Sequence, residues 1–263
     1  MSYKAKKSFG QNFLNDSLVL NRIVREILVL RESAQSEIYE IGTGLGALTK
    51  PLLDSKAKLH SIERDRDLIP ILQDKFEAEL QSGQLILNEA DAIGFLKILF
   101  EDPPKNNFVL CGNLPYHLTS SVFFETAKLW KNISGAVYLI QKEVADRIVA
   151  EPNNKTYGIL SPILQAIFEV QVVEKVPHTA FTPPPKVESA VLVLKPKKRE
   201  FNLDWEAFVK LVKAAFSKRR KVLTNSLAEY PRISSILHKV GIDPKSRAEN
   251  LSFEDYERIL ACL

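Results

Sequence analysis

Apolar residues between positions 16 and 31 recur at three- and four-residue steps: Leu18, Val19, Ile23, Val24, Ile27 and Leu28. That spacing predicts an amphipathic helix, and Asn15-Asp16-Ser17 supplies a cap cluster at its start. The rhythm then changes to short, nearly continuous apolar runs at 38–41, 58–62, 84–87, 108–111 and 136–140. Runs of this length read as strands buried on both faces. Helix-like stretches, such as 67–80 and 119–130, separate most of them. The alternation predicts an α/β fold with a parallel, doubly wound sheet. Two later runs, 170–176 and 190–194, have no helix between them and flank Phe181-Thr182-Pro183-Pro184-Pro185-Lys186-Val187. They are expected to form an antiparallel hairpin closing one edge of the sheet. Beyond Pro196-Lys197-Lys198-Arg199 the pattern is helical to the end, with Pro231 and Gly241-Ile242-Asp243-Pro244 as punctuation. A boundary near 196–200 follows, giving a domain of residues 1–197 and a small all-helical domain of residues 198–263.

Composition narrows the class. The chain has 263 residues, 45% hydrophobic and 26% charged, which suits a globular protein with a substantial core. No apolar run approaches the roughly 18 to 20 residues of a membrane span. The start is basic, but no apolar segment of a secretory signal follows it. Two cysteines, Cys111 and Cys262, are too few for a disulfide framework, so a reducing, cytoplasmic location is expected. Nothing in the pattern suggests an obligate interface, so a monomer is expected. The net charge of +4 is unevenly placed: residues 195–263 hold 15 Lys and Arg against 9 Asp and Glu, a balance of +6. A basic end on a near-neutral body points to an anionic polymer as partner, most plausibly nucleic acid. Lys210, Lys213, Ser217 and Arg220 fall on one face of an expected helix over 205–221, with Phe208, Leu211, Val212 and Ala215 on the other, and Lys218, Arg219 and Lys221 extend the basic cluster. No metal site is expected.

Candidate chemistry collects at the ends of the predicted strands. The first ends in Glu40-Ile41-Gly42-Thr43-Gly44-Leu45-Gly46, where Gly42 and Gly44 let the backbone approach a ligand closely. Glu63 ends the second, where a carboxylate can accept from both hydroxyls of a ribose. Asp91 follows the third and can meet an adenine. Asn113-Leu114-Pro115-Tyr116 follows the fourth. An Asn carbonyl can accept from the exocyclic amine of a flat base while a Tyr ring covers its face. The amine's lone pair is delocalised into the ring, and acceptors that hold its hydrogens out of plane favour the localised pair that methylation needs. Together the four positions fit S-adenosyl-L-methionine better than a nicotinamide dinucleotide, because no second phosphate turn follows.

The chain resembles the ribosomal RNA small-subunit adenine N6,N6-dimethyltransferases. The matching segments, in order, are Lys7 to Asp16, Glu40 to Gly46, Asn113 to Tyr116, Gln141 to Val144, Phe181 to Val187, Ala215 to Lys221 and Arg247 to Ser252. The resemblance implies a Rossmann-like methyltransferase sheet and dimethylation of two adjacent adenosines of 16S rRNA within a pre-30S particle. It implies that Asn12, Leu14, Gly42, Glu63, Asp91 and Asn113 contact S-adenosyl-L-methionine. Asn113, Leu114, Pro115 and Tyr116 would hold the target base, with Phe181 a candidate for its second face. Thr43 stands where many relatives have Pro, and His117 where Asn is common. Two alternatives stay open. One is a macrolide-resistance-type methyltransferase acting on 23S rRNA; the other is a non-catalytic RNA-binding assembly or transcription factor on the same scaffold. An NAD-dependent oxidoreductase is more distant.

Overall fold

The computed structural model describes all residues except 1, 2, 4, 7, 8, 200 and 219. Its strands are β1 (Phe13–Leu14), β2 (Ile38–Ile41), β3 (Leu59–Glu63), β4 (Leu85–Glu89), β5 (Phe108–Asn113), β6 (Ile133–Gln141), β7 (Phe168–Val176), β8 (Phe181–Thr182) and β9 (Ser189–Pro196). The helices are α1 (Ser17–Leu30), α2 (Thr49–Asp54), α3 (Ile69–Lys75), α4 (Glu77–Gln81), α5 (Ala92–Glu101) and α6 (Thr119–Lys128). They continue with α7 (Lys142–Ile148), α8 (Leu160–Ile167), α9 (Trp205–Ser217), α10 (Leu223–Ser226), α11 (Ile233–Lys239) and α12 (Phe253–Leu260).

Seven strands form one sheet in the order β4-β3-β2-β5-β6-β9-β7. The five strands from β4 to β6 run parallel, and β9 pairs antiparallel with β6, with Gln141 opposite Ser189. This is the expected doubly wound α/β class with a differently directed edge. The chain moves outward from β2 through β3 to β4, then returns to place β5 on the other side of β2. That reversal leaves a crevice between the carboxyl ends of β2 and β5, where open α/β sheets bind ligands. The two strands approach closely there: a Cβ on Gly112 would lie 2.3 Å from the Ile41 carbonyl oxygen. α1 is capped by Asp16, which accepts from the Leu18 and Val19 amides, and it buries Val19, Ile23, Ile27 and Leu30.

The chain divides into two compact units, residues 1–145 with 171–196, and residues 146–170 with 197–263. The second unit thus takes in 146–170, which the sequence pattern placed within 1–197. The Lys197 amide donates to the Ile167 carbonyl at 2.8 Å and the Asn153 amide to Glu249 at 2.8 Å. Phe208, Leu211, Val212 and Ala215 form the buried face of α9.

Two helices differ from expectation. The stretch 67–80 breaks at Phe76, whose buried ring packs so close to Gly46 that a Cβ there would meet it at 2.6 Å. The helix expected over 205–221 ends at Ser217, with Lys218 as its C-cap. Its apolar stripe stops at Phe216, and without an apolar face to bury, further turns lose most of their support.

Candidate active site

A cavity of about 900 Å³, including its open mouth, occupies the crevice in the first unit. Gly42, Gly44, Glu63, Asp91 and the whole of Asn113–Tyr116 line it, as do Asn12 and Phe181. The residues expected at four separate strand ends are therefore brought to one place.

The floor is the glycine turn. Gly44 has φ +58°, a conformation that disfavours a side chain, and a Cβ there would sit 3.2 Å from the Phe13 ring. Its amide donates to Glu63 Oε2 at 2.8 Å, and the Asp65 amide donates to Glu63 Oε1 at 2.8 Å. Burial pushes the Glu63 carboxyl up, and these backbone donors oppose the shift. A carboxylate has about four lone-pair sites, and with the Arg64 backbone also donating here, room is left for a further donor such as a hydroxyl. Asp91 is exposed and caps α5 by accepting from the Gly94 amide at 3.1 Å, with Arg64 at 3.7 Å. It serves the helix while bordering the cavity.

The Asn113 amide nitrogen donates to the Asn12 carbonyl at 2.9 Å. This fixes the side chain with its carbonyl oxygen as the group left to accept. Leu114 is buried and its amide bonds the Leu139 carbonyl at 3.0 Å. The Pro115 carbonyl accepts from the Leu118 amide at 3.0 Å and from the Thr119 hydroxyl at 3.2 Å, closing the turn. Tyr116 is half-buried, and burial raises its phenol. Phe181 is 4% exposed and belongs both to the core and to the cavity wall.

A pairing absent from the sequence expectations builds one wall. β1 and β8 form a separate two-stranded sheet, with Phe13 opposite Thr182 and Leu14 opposite Phe181. It lays residues 9–13 along the cavity. Leu14 does not line this cavity. Its side chain is buried and borders a narrower space of about 440 Å³ behind the glycine turn. His117 is exposed at the cavity's border. The apolar walls Phe9, Phe13 and Ile62 carry no mark of a site in the sequence pattern, save the position of Ile62 just before Glu63.

A family model described as ribosomal RNA adenine dimethylase matches residues 2–263. The chain belongs to the ribosomal RNA adenine dimethylase family. By family it is a methyltransferase enzyme. Proteins described as ribosomal RNA small subunit methyltransferase A are similar over nearly their full length. The protein from Janthinobacterium sp. (strain Marseille) is 38% identical over 97% of this chain and 97% of its own. That from Thiobacillus denitrificans is 40% identical over 98% and 97%. A dimethyladenosine transferase structure from Plasmodium falciparum shares the fold, with TM-score 0.76 and 24% identity over 95% of this chain and 96% of that one. The 23S rRNA methyltransferase ErmE superposes with TM-score 0.69 and 25% identity over 95% and 98%.

In the second unit, Lys218, Arg220 and Lys221 are exposed in a turn closed by a 2.7 Å bond from the Lys221 amide to the Lys218 carbonyl. Arg219 lies outside the described residues. Arg220 does not share the helical face of Lys210, Lys213 and Ser217, because α9 stops before it. Among the described residues, no group of three or more His, Cys, Asp or Glu could hold a metal ion. Among them, too, no helix is long and apolar enough to cross a membrane.

Proposed function

We propose that this chain transfers methyl groups from S-adenosyl-L-methionine to N6 of two adjacent adenosines in small-subunit (16S) rRNA, giving N6,N6-dimethyladenosine. The observation that carries the reading is the tethered Asn113 amide, whose nitrogen is committed to Asn12 and whose oxygen is left to receive an amine. When bound, the cofactor supplies a methyl group on a positively charged sulfur. Gly42 and Gly44 give backbone access to it, Glu63 holds its ribose hydroxyls, and Asp91 meets its adenine. Asn12 covers it from the arm, and Leu14 contributes from behind the glycine turn.

The target adenine leaves its stack to enter the cavity. Asn113 Oδ1 and the Leu114 carbonyl accept the amine hydrogens, Pro115 stiffens the turn, and Tyr116 and Phe181 cover the two faces. Alignment of amine and methyl is the protein's main contribution. The methylated amine is acidic enough to lose its proton to water, so no side chain is needed as a strong base. Lys218, Arg219, Arg220 and Lys221 hold RNA phosphates and set position rather than sequence. The substrate is rRNA within a pre-30S particle in the cytoplasm, and the enzyme acts as a monomer.

The test is mass-spectrometric mapping of nucleotides after incubating isolated small and large subunits with the cofactor. Dimethyladenosine at two adjacent positions of the small subunit is expected; modification of the large subunit alone would favour the 23S alternative. Asn113→Ala should lower turnover by about 100-fold or more, the scale for losing a preorganised polar contact to the reacting group. Affinity for S-adenosylhomocysteine should change far less. Near-normal turnover would remove Asn113 from its role.

A further inference from the structure

Asp65 follows the β3 carboxylate by two residues and is 2% exposed. A carboxylate so withdrawn from water needs donors on both oxygens. Asp65 Oδ2 accepts from the Tyr3 hydroxyl at 2.5 Å and from Gln11 Nε2 at 3.0 Å. Oδ1 accepts from Lys6 Nζ at 2.5 Å and from the Asp67 amide at 3.1 Å. Three of the four donors come from the N-terminal arm. The Asp65 amide, in turn, donates to Glu63 Oε1. Gln11 is tied within the arm as well, since its Oε1 accepts from the Lys6 amide at 2.8 Å. The arm's next residues line the nucleoside cavity, and its far side is fixed by Asn113 on the Asn12 carbonyl and by the β1–β8 pair.

We propose that Asp65 is a positioning residue that latches the N-terminal arm across the nucleoside cavity and ties it to the carboxylate of Glu63. This rests on the reading of that cavity as the cofactor site. Tyr3, Lys6 and Asp65 do not border the cavity themselves, so they act through Gln11, Asn12 and Glu63. Burial alone would push the Asp65 carboxyl up; Lys6, Tyr3, the Asp67 amide and Gln11 outweigh it and hold the carboxyl below its ordinary value. The Tyr3 phenol is pushed up to about 12, by burial first and then by its bond to Asp65. The latch is therefore closed at neutral pH. A strap pinned at both ends encloses the nucleoside and pre-sets Asn113, so losing one pin weakens cofactor binding before it slows chemistry.

The test uses the full chain and two variants, Asp65→Asn and Tyr3→Phe, with S-adenosylhomocysteine as probe. Calorimetry should show Kd raised about tenfold in both, the scale of one lost charge-assisted hydrogen bond. KM for the cofactor should rise likewise, while kcat at saturation stays within about twofold, a split that general loss of structure would not give. Trypsin should cut the ligand-free variants after Lys6 faster than wild type, and the probe should protect wild type most. Kd within twofold of wild type in both variants, or unchanged cleavage, would overturn the latch. If Asp65→Asn lowers the melting temperature of the ligand-free protein, Tyr3→Phe decides by the same criteria. Wild type that fails to bind the probe would sink the cofactor reading instead, and the ligand-free cleavage rates would still judge the latch.

Discussion

Glu40 lies near the carboxyl end of β2, 1% exposed. Its Oε2 accepts from the Thr49 hydroxyl at 2.7 Å and the Ser61 hydroxyl at 2.8 Å. Burial raises its carboxyl to about 7; the two hydroxyls oppose the shift, and Glu63 adds to it. Between its ordinary value of 4.5 and about 7, the folded chain holds this proton more tightly than the unfolded one. The associated stability is complete below 4.5 and is lost as pH rises toward 7. Glu40→Gln keeps an acceptor for both hydroxyls and fixes the neutral state. Urea melts should show the variant gaining about 2 kcal/mol on wild type between pH 5 and pH 8. A difference constant across that range would mean that Glu40 ionises normally. Glu63 and Asn113 stood out because a polar group at the end of an apolar run has few structural excuses. Asn12 and Leu14 carry no such mark: one is an ordinary loop amide, the other an ordinary core leucine, and only the family likeness selected them.

The strands of the parallel sheet were legible because burial on both faces leaves continuous apolar runs, and β2, β3 and β5 fall where those runs lie. β1 and β8 were not, since two residues give no periodicity and their partners lie far apart in the chain. That short pair nonetheless sets one wall of the site. The end of α9 is hidden from the sequence for a related reason: helix-forming Lys and Arg follow Ser217, but intrinsic propensity cannot replace a missing apolar face. The β2–β5 seam offers a direct test of how elements place the site. A methyl on Gly112 would meet the Ile41 backbone, not a flexible side chain. Gly112→Ala should therefore cost about 3 kcal/mol, at the upper end for overpacking a rigid core. The urea midpoint measures it. A loss below about 1 kcal/mol would mean that the seam relaxes without strain.

At the scale of the whole chain, charge and chemistry are divided between the two units. The cavity, its glycine turn and the Asn113 segment belong to the first. The +6 balance of residues 195–263 falls almost wholly in the second, where Lys218, Arg220 and Lys221 stand exposed. A cation that touches a phosphate displaces a condensed counterion, so each contact adds about 0.7 to 0.9 to the slope of log affinity against log salt. Replacing Lys218, Arg220 and Lys221 together by Ala should thus flatten the slope for small-subunit rRNA by about 2. The loss of RNA affinity should be largest at low salt. Affinity for S-adenosylhomocysteine should stay at the wild-type value, because none of the three borders the cavity. Filter binding across a salt series, paired with calorimetry, reads both quantities on one preparation. An unchanged slope with intact folding would take these three residues out of the RNA interface. A parallel fall in cofactor affinity would show that the second unit's charge acts on the first unit's site, and the division of labour argued from the charge distribution would fail.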